Sequence, residues 1–219
     1  MTTLWPFALL WIAAYLLGAV PFGLLVGRVF GVADVRQQGS GNIGATNVLR
    51  AAGKKAGAVT LLLDIGKGAA AVALASRLTD NNLLAVAGTA LAAFLGHLYP
   101  VYLKFRGGKG VAVALGVLLA WIPWAGAAAA ATWLITAKLF RISSLAALLA
   151  FALAPLYVYL FYIPTPRNVR CLYPHWDLWC AVAVAALISL LIFWRHRQNI
   201  RRLLNGSEPR IGHSSESHP

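Results

Sequence analysis

"LWPFALLWIAAYLLGAVPFGLLV", Leu4 to Val26, decides what kind of protein this is. Tyr15 is its only ionisable side chain. A helix of a soluble domain needs one polar face to meet water, and this stretch has none. It has instead the length and composition of a bilayer-spanning helix, which takes about 20 apolar residues. The rest of the chain agrees. Of its 219 residues 60% are hydrophobic and 11% charged, with a mean hydropathy of +0.71; in a soluble domain only about half the residues are apolar. Met1-Thr2-Thr3 ahead of the run lacks the basic start of a secretory signal, and the run is long for one that is cleaved. The first helix is therefore expected to be retained.

Outward from this run, apolar segments alternate with polar breaks. Spans are expected near residues 4–28, 56–77, 82–103, 110–122, 124–140, 144–163 and 176–194. This is an all-α polytopic membrane protein with seven transmembrane helices, the fourth of them short. That fourth run ends at Pro123, within "WIPW", and either stops there or continues into the fifth; six spans is the fallback count. No internal repeat is visible, so residues 1–205 read as a single domain. Residues 206–219, "GSEPRIGHSSESHP", hold one sizeable apolar residue, Ile211, and read as a disordered tail. His213 and His218 fall there and carry no role.

The net charge of +13 would suggest nucleic acid on a soluble chain. Here the basic residues gather in alternate breaks: Arg28 to Lys55, Lys104 to Lys109, Lys138 with Arg141, and Arg195 to Arg210. Arg77, Arg167 and Arg170 fall in the other breaks, and Lys67 within a run. The positive-inside rule puts the dense breaks in the cytoplasm, the N-terminus outside and the C-terminus inside. The charge then serves topology and anionic lipid headgroups, and no nucleic-acid partner is expected. Cys171 lies in a loop and Cys180 in an apolar run, and a disulfide between them is not expected. No cluster of cysteine and histidine offers a metal site.

Topology does not explain why those breaks are also dense in glycine, serine, asparagine and histidine. "GSGNIGATNVLR", Gly39 to Arg50, has no carboxylate. Glycines such as Gly39, Gly41 and Gly44 let successive N–H groups point one way and make an anion-binding concavity. Ser40, Asn42, Thr46 and Asn47 add neutral donors, and Arg50 a fork for phosphate. A short helix starting near Gly44 would add its N-terminus. The plain alternative is a capped turn. "GHLYPVYLKFRGGKG", Gly96 to Gly110, is second. Gly107 and Gly108 would let backbone approach a ligand, with Lys109 at the start of the fourth span. Lys104 and Arg106 serve either a ligand or headgroups, and His97 reads more naturally as a packed, hydrogen-bonded residue. Asp64 and Lys67 lie three apart on one helix face inside the second span, where ionisable groups are costly and paired. A mutual ion pair is the favoured reading of Asp64, and Lys67 is left open as a phosphate contact. Ser143 and Ser144 either cap the sixth span or face a cleft. In "WRHRQNIRRLLNGSE", Trp194 to Glu208, His196 and Asn199 share a helical face among four arginines; otherwise the segment is a basic helix on anionic lipid.

"SGNIGATNVLR", "GHLYPVYLKFRGGKG" and "RHRQNIRRLLNGSE" resemble the three cytoplasmic motifs of the bacterial acyl-phosphate:glycerol-3-phosphate acyltransferases, the PlsY type. Their order and the arrangement of spans match nearly to Ile211. The resemblance implies transfer of a fatty acyl group from acyl phosphate to the 1-hydroxyl of glycerol 3-phosphate, giving 1-acylglycerol 3-phosphate and inorganic phosphate. It implies no cofactor, a location in the bacterial inner membrane among membrane lipids, and a monomer. It assigns Ser40 and its glycine-rich backbone to the acyl phosphate, Arg50 and Lys109 to substrate phosphate, and His196 and Asn199 to glycerol 3-phosphate. Ser40, Lys109, His196 and Asn199 are the catalytic candidates. His97, Lys104, Gly107 and Gly108 match the second motif, Glu208 the third, and Ser144 the family's serine before the sixth span, with Ser143 beside it. Where the family usually continues "GGKGVAT", this chain has Val113 for the threonine. An acyl phosphate is already activated, so positioning and electrostatics would suffice, with His196 or a phosphate oxygen taking the proton. The rivals are a phosphate or organophosphate transporter, whose site would lie nearer the bilayer midplane, and a lipid-binding scaffold.

Overall fold

The computed structural model describes residues 5–162 and 174–211, and every element among them is helical. In chain order they are α1 (Trp5–Ala19), α2 (Phe22–Val29), α3 (Ala45–Leu78), α4 (Leu83–Leu98), α5 (Val111–Trp121), α6 (Pro123–Phe140), α7 (Ser143–Phe161), α8 (Pro174–Arg195) and α9 (Arg197–Leu204). Cys171 and most of the expected external loop lie outside the described residues.

The expected first span is two helices. Pro21 has no N–H to donate and its ring crowds the preceding turn, so α1 stops at Ala19 and α2 starts at Phe22. The second span begins earlier than expected, at Ala45, because Gly53 at φ 87 joins a short first segment to the long helix behind it. "WIPW" is a break: α5 ends at Trp121 and α6 takes Pro123 in its first turn, the position where a missing N–H costs nothing. Among the described residues, five stretches are long and apolar enough to cross a membrane: 7–29, 45–78, 83–103, 143–161 and 176–195. α5, with 11 residues, extends only about 16 Å.

α1 packs on α4, α3 on α5, α6 on α7, and α7 on α8. In lipid no hydrophobic force drives helices together, so close backbone approach through small residues matters more. Gly18 lies against the Ala93 backbone, Gly96 against Tyr15, Gly68 against Val113 and Gly116 against Ile65, each with no room for a Cβ. Val113 is thus consumed by a helix contact. The largest buried side chains, Phe94, Leu98, Phe151 and Ile192, meet in one cluster between α4, α5, α7 and α8. The hydroxyls of Thr132 and Tyr157 join α6 to α7 at 2.7 Å.

Because the helices run back and forth, the start of α3, the end of α4, the starts of α5 and α7, and the ends of α6 and α8 all reach the same end of the bundle. The three glycine-rich and basic segments lie there.

Candidate active site

The first segment folds around Asn47. Its buried Oδ1 accepts from the Ser40 backbone N–H at 2.8 Å and the Ser40 hydroxyl at 3.2 Å. Its Nδ2 donates to the Val35 carbonyl at 2.7 Å. Asn42 accepts from the Gly44 N–H at 3.0 Å, closing a turn directly before α3. Thr46 and Arg50, one helical turn apart, then face the same way. Thr46 shares a hydrogen bond with Ser143 at 2.9 Å. The Nη2 of Arg50 reaches the Pro209 carbonyl at 3.4 Å, while its Nε is buried without a protein partner.

The second segment doubles back on the end of α4. The N–H groups of Gly107 and Gly108 donate to the carbonyls of Leu98 and His97. Arg195 donates from Nη2 to the Gly107 carbonyl at 2.7 Å and from Nε to the Gly108 carbonyl at 3.0 Å, its guanidinium 5.6 Å from the centre of the Tyr99 ring. The two glycines, expected to approach a ligand, are glycine because a Cβ would overlap His97. Lys104 is exposed and left-handed at φ 51, away from the cavity. Lys109 turns inward and its Nζ donates to Asn199 Oδ1 at 2.6 Å. Burial pushes its pKa down to about 8; Glu208 opposes the fall and Arg202, Arg50 and Arg195 add to it.

The third segment turns at His196, between α8 and α9. Its Nδ1 lies 2.8 Å from the Ile192 carbonyl, which can only accept, so Nδ1 carries the proton and Nε2 is the acceptor. Burial lowers the His196 pKa to about 4, and Lys109 adds to the fall. Asn199 donates to Glu208 Oε1 at 2.6 Å, Ser144 to the same oxygen at 2.7 Å, and Arg202 to Oε2 at 2.7 Å. Burial alone would raise the Glu208 pKa, but these three donors outweigh it and the net shift is downward. Residues Gly206–Ile211, expected to begin a disordered tail, therefore fold over the site. The Ile211 N–H also donates to the Arg141 carbonyl at 2.6 Å. Ser143 and Ser144 do not cap α7, whose N-cap is Ile142; their hydroxyls serve Thr46 and Glu208.

These groups enclose a cavity of about 530 Å³. From the first segment Gly39, Ser40, Asn42, Thr46, Asn47 and Arg50 line it. His97 and Lys109 follow from the second, Ser143 and Ser144 from α7, and His196 and Asn199 from the third. Gly41, Lys67, Lys104, Gly107 and Gly108 do not line it. The Lys67 ammonium instead pairs with Asp64 at 2.8 Å, as the favoured reading of Asp64 had it, and reaches the Val20 carbonyl at 2.8 Å and His97 Nδ1 at 3.1 Å. The ammonium is thus buried among protein groups, off the cavity wall. Arg202 and Glu208 line the cavity too; sequence reasoning placed both in the third segment and gave neither a task. One wall is apolar, with Leu61 and Ile65 from α3, Leu115 from α5 and Trp133 from α6, and the exposed Leu134 at its edge. At the polar end Arg50, Lys109 and Arg202 face one carboxylate, Glu208, which leaves an excess of positive charge for an anion.

The family model for glycerol-3-phosphate acyltransferase matches residues 8–206. A glycerol-3-phosphate acyltransferase of Thioalkalivibrio sulfidiphilus is 51% identical over 206 residues, 94% of each chain. One of Caulobacter vibrioides is 52% identical over 201 residues, covering 92% of this chain and 86% of that one. Two crystal structures of PlsY (YgiH), an integral membrane glycerol 3-phosphate acyltransferase, share the fold. The glycerol 3-phosphate form aligns with a TM-score of 0.82 at 39% identity, covering 94% of this chain and 96% of that one. The lysophosphatidic acid form aligns at 0.80 and 38%, with the same coverage. With this match over most of its length, the chain belongs to the glycerol-3-phosphate acyltransferase family.

Proposed function

We propose that this chain is a membrane acyltransferase that moves a fatty acyl group from acyl phosphate to the 1-hydroxyl of glycerol 3-phosphate, releasing 1-acylglycerol 3-phosphate and inorganic phosphate. The observation that carries the reading is the division of one cavity into a cationic, donor-rich end and an apolar wall. A phosphorylated acyl donor has the same two parts. Acceptance of glycerol 3-phosphate rests on the relatives, one of which was crystallised in that form.

In this reading Ser40 and the backbone around Gly39 bind the phosphate of the donor. Arg50, with its unpartnered Nε, binds a phosphate oxygen, and Lys109 bridges towards Asn199. His196 Nε2 accepts from a hydroxyl of glycerol 3-phosphate, held by Asn199. The hydroxyl proton ends on the departing phosphate. A histidine with a pKa near 4 is a weak base, which favours positioning over base catalysis by His196. Holding both reactants in line is the main contribution of the protein, and cations and amides stabilise the negative charge that develops.

The same reading places seven spans, α1 with α2 forming the first and α5 and α6 the fourth and fifth, in the inner membrane of a bacterium. The N-terminus is outside and the site opens to the cytoplasm, supported by the basic residues at the cavity end. One copy holds every group invoked, so the unit of function is a monomer. A transporter would need its site near the midplane, and this one lies at the helix ends. The test is purified protein with glycerol 3-phosphate and, in turn, palmitoyl phosphate, palmitoyl-CoA and palmitoyl-acyl carrier protein. Product from palmitoyl phosphate alone supports the reading; product from a thioester alone overturns the donor.

A further inference from the structure

Two histidines line the cavity, and their surroundings hold them in opposite tautomers. His196 donates from Nδ1 to the Ile192 carbonyl, so its Nε2 accepts. His97 has Lys67 Nζ at 3.1 Å from Nδ1. Lysine is ordinarily the stronger base of the two, its charge is held by Asp64 at 2.8 Å, and it donates to the Val20 carbonyl as well. The ammonium therefore donates to Nδ1, and the imidazole proton of His97 sits on Nε2. That edge lies against Gly108, where any Cβ would run into Nε2. Glycine at 108 puts no side chain over Nε2, and His97 lines the cavity.

The level of His97 in the cavity is as informative as its tautomer. Asp64, close to the same Nδ1 at 3.7 Å, lies on α3 between Leu61 and Ile65, and all three line the cavity. His97 thus stands where the polar lining gives way to the apolar wall. In an acyl phosphate the carbonyl group occupies that same junction, with phosphate on one side and the alkyl chain on the other.

We propose that the Nε2–H of His97 is the hydrogen-bond donor to the acyl carbonyl oxygen, and that Lys67 is the positioning residue that fixes its tautomer. This rests on the acyl-phosphate reading above. The 1-hydroxyl oxygen bonds to the carbonyl carbon, and the C=O π pair moves onto the carbonyl oxygen, which accepts from Nε2–H. The pair then re-forms C=O as the bond to the phosphate oxygen breaks. Phosphate leaves with that bonding pair and the hydroxyl proton, and no proton leaves His97.

The amide of Gln places an N–H near Nε2, and that of Asn near Nδ1. With palmitoyl phosphate and glycerol 3-phosphate, His97→Asn should lower kcat about 10²–10³-fold, the range for loss of one oxyanion donor, with KM for glycerol 3-phosphate within a few fold. His97→Gln, which keeps a donor near Nε2, should stay within about tenfold of wild type. In ¹⁵N-histidine-labelled protein, assigned by the signal lost in His97→Gln, His97 should show the Nε2–H tautomer and His196 the Nδ1–H tautomer. Replacing Asp64 and Lys67 together by leucine, which leaves no buried charge unpaired, should give His97 mixed tautomers and a lower kcat. Wild-type turnover in His97→Asn, or an Nδ1–H tautomer at His97, overturns the role of the histidine alone. A wild-type chain inert to this substrate pair but active with a thioester overturns the acyl-phosphate reading, while the tautomers remain measurable. Should His97→Asn not fold, turnover of His97→Gln within tenfold of wild type supports the donor, and a larger loss overturns it.

Discussion

Lys109 ties the site to pH. Its ammonium is buried among other cations and its pKa falls to about 8, so it is charged at neutral pH and loses that charge as pH rises through the value. Binding of an anion favours the charged form. Affinity for phosphorylated substrates should therefore be full below the transition and fall above it, and KM for glycerol 3-phosphate should climb towards pH 9. Lys109→Arg, which stays charged to above about pH 12, should lose that alkaline limb; a steady-state pH profile of both proteins decides. Glu208 makes a second prediction. Its carboxylate is almost fully buried and takes hydrogen bonds from Ser144, Asn199 and Arg202. Glu208→Ala leaves those donors facing one another and should cost about 1–3 kcal/mol, with Glu208→Gln milder, read from unfolding midpoints in detergent. Residues such as Lys109 and Arg50 were legible in sequence because a cation in an apolar chain needs a reason. Glu208 was not, because a lone acid in a polar tail looks solvated until the tail is seen to fold back. The ion pair of Lys67 with Asp64 was one of the readings open in sequence, whereas the structural part of Gly107 and Gly108 was not, since Arg195, which holds their carbonyls, comes from α8.

At the scale of elements, the helices follow from apolar runs, and their breaks from proline and glycine. The split at Pro21 was concealed because both sides are equally apolar, and the early start of α3 because Arg50, Lys54 and Lys55 flank Gly53. The close contacts between helices carry their own prediction. Gly116 lies against the Ile65 carbonyl with no space for a Cβ. Gly116→Leu should separate α3 from α5, costing about 1–3 kcal/mol from overpacking and widening the cavity that both helices line; the unfolding midpoint should drop while Leu119→Ala, elsewhere on α5, has a smaller effect. The apolar wall of the site was invisible in sequence for a plain reason. Leu61 and Trp133 have the composition of every lipid-facing position, and only the packing shows that they line the cavity.

For the molecule as a whole, the alternation of spans brings three distant segments to one end, and this was the part most fully readable from the chain. Glycine, asparagine and cations recur in alternate breaks, and alternate breaks share a side. The proposed orientation predicts labelling. Single cysteines at Lys54 and at Arg106 should react with a membrane-impermeant maleimide only from the cytoplasmic side of inverted vesicles, and one at Asp80 only from the opposite side. Reaction of Lys54→Cys and Asp80→Cys from the same side would undo the span arrangement. In the proposed reaction one cavity receives both phosphorylated substrates. The most direct measurement of this is a crystal structure with glycerol 3-phosphate and a non-reactive acyl phosphonate. Both phosphorus groups should lie within hydrogen-bond reach of the Arg50, Lys109 and Ser40 cluster, with the alkyl chain along Leu61 and Trp133. Two ligands in separate places, or an alkyl chain lying outside that wall, would contradict it.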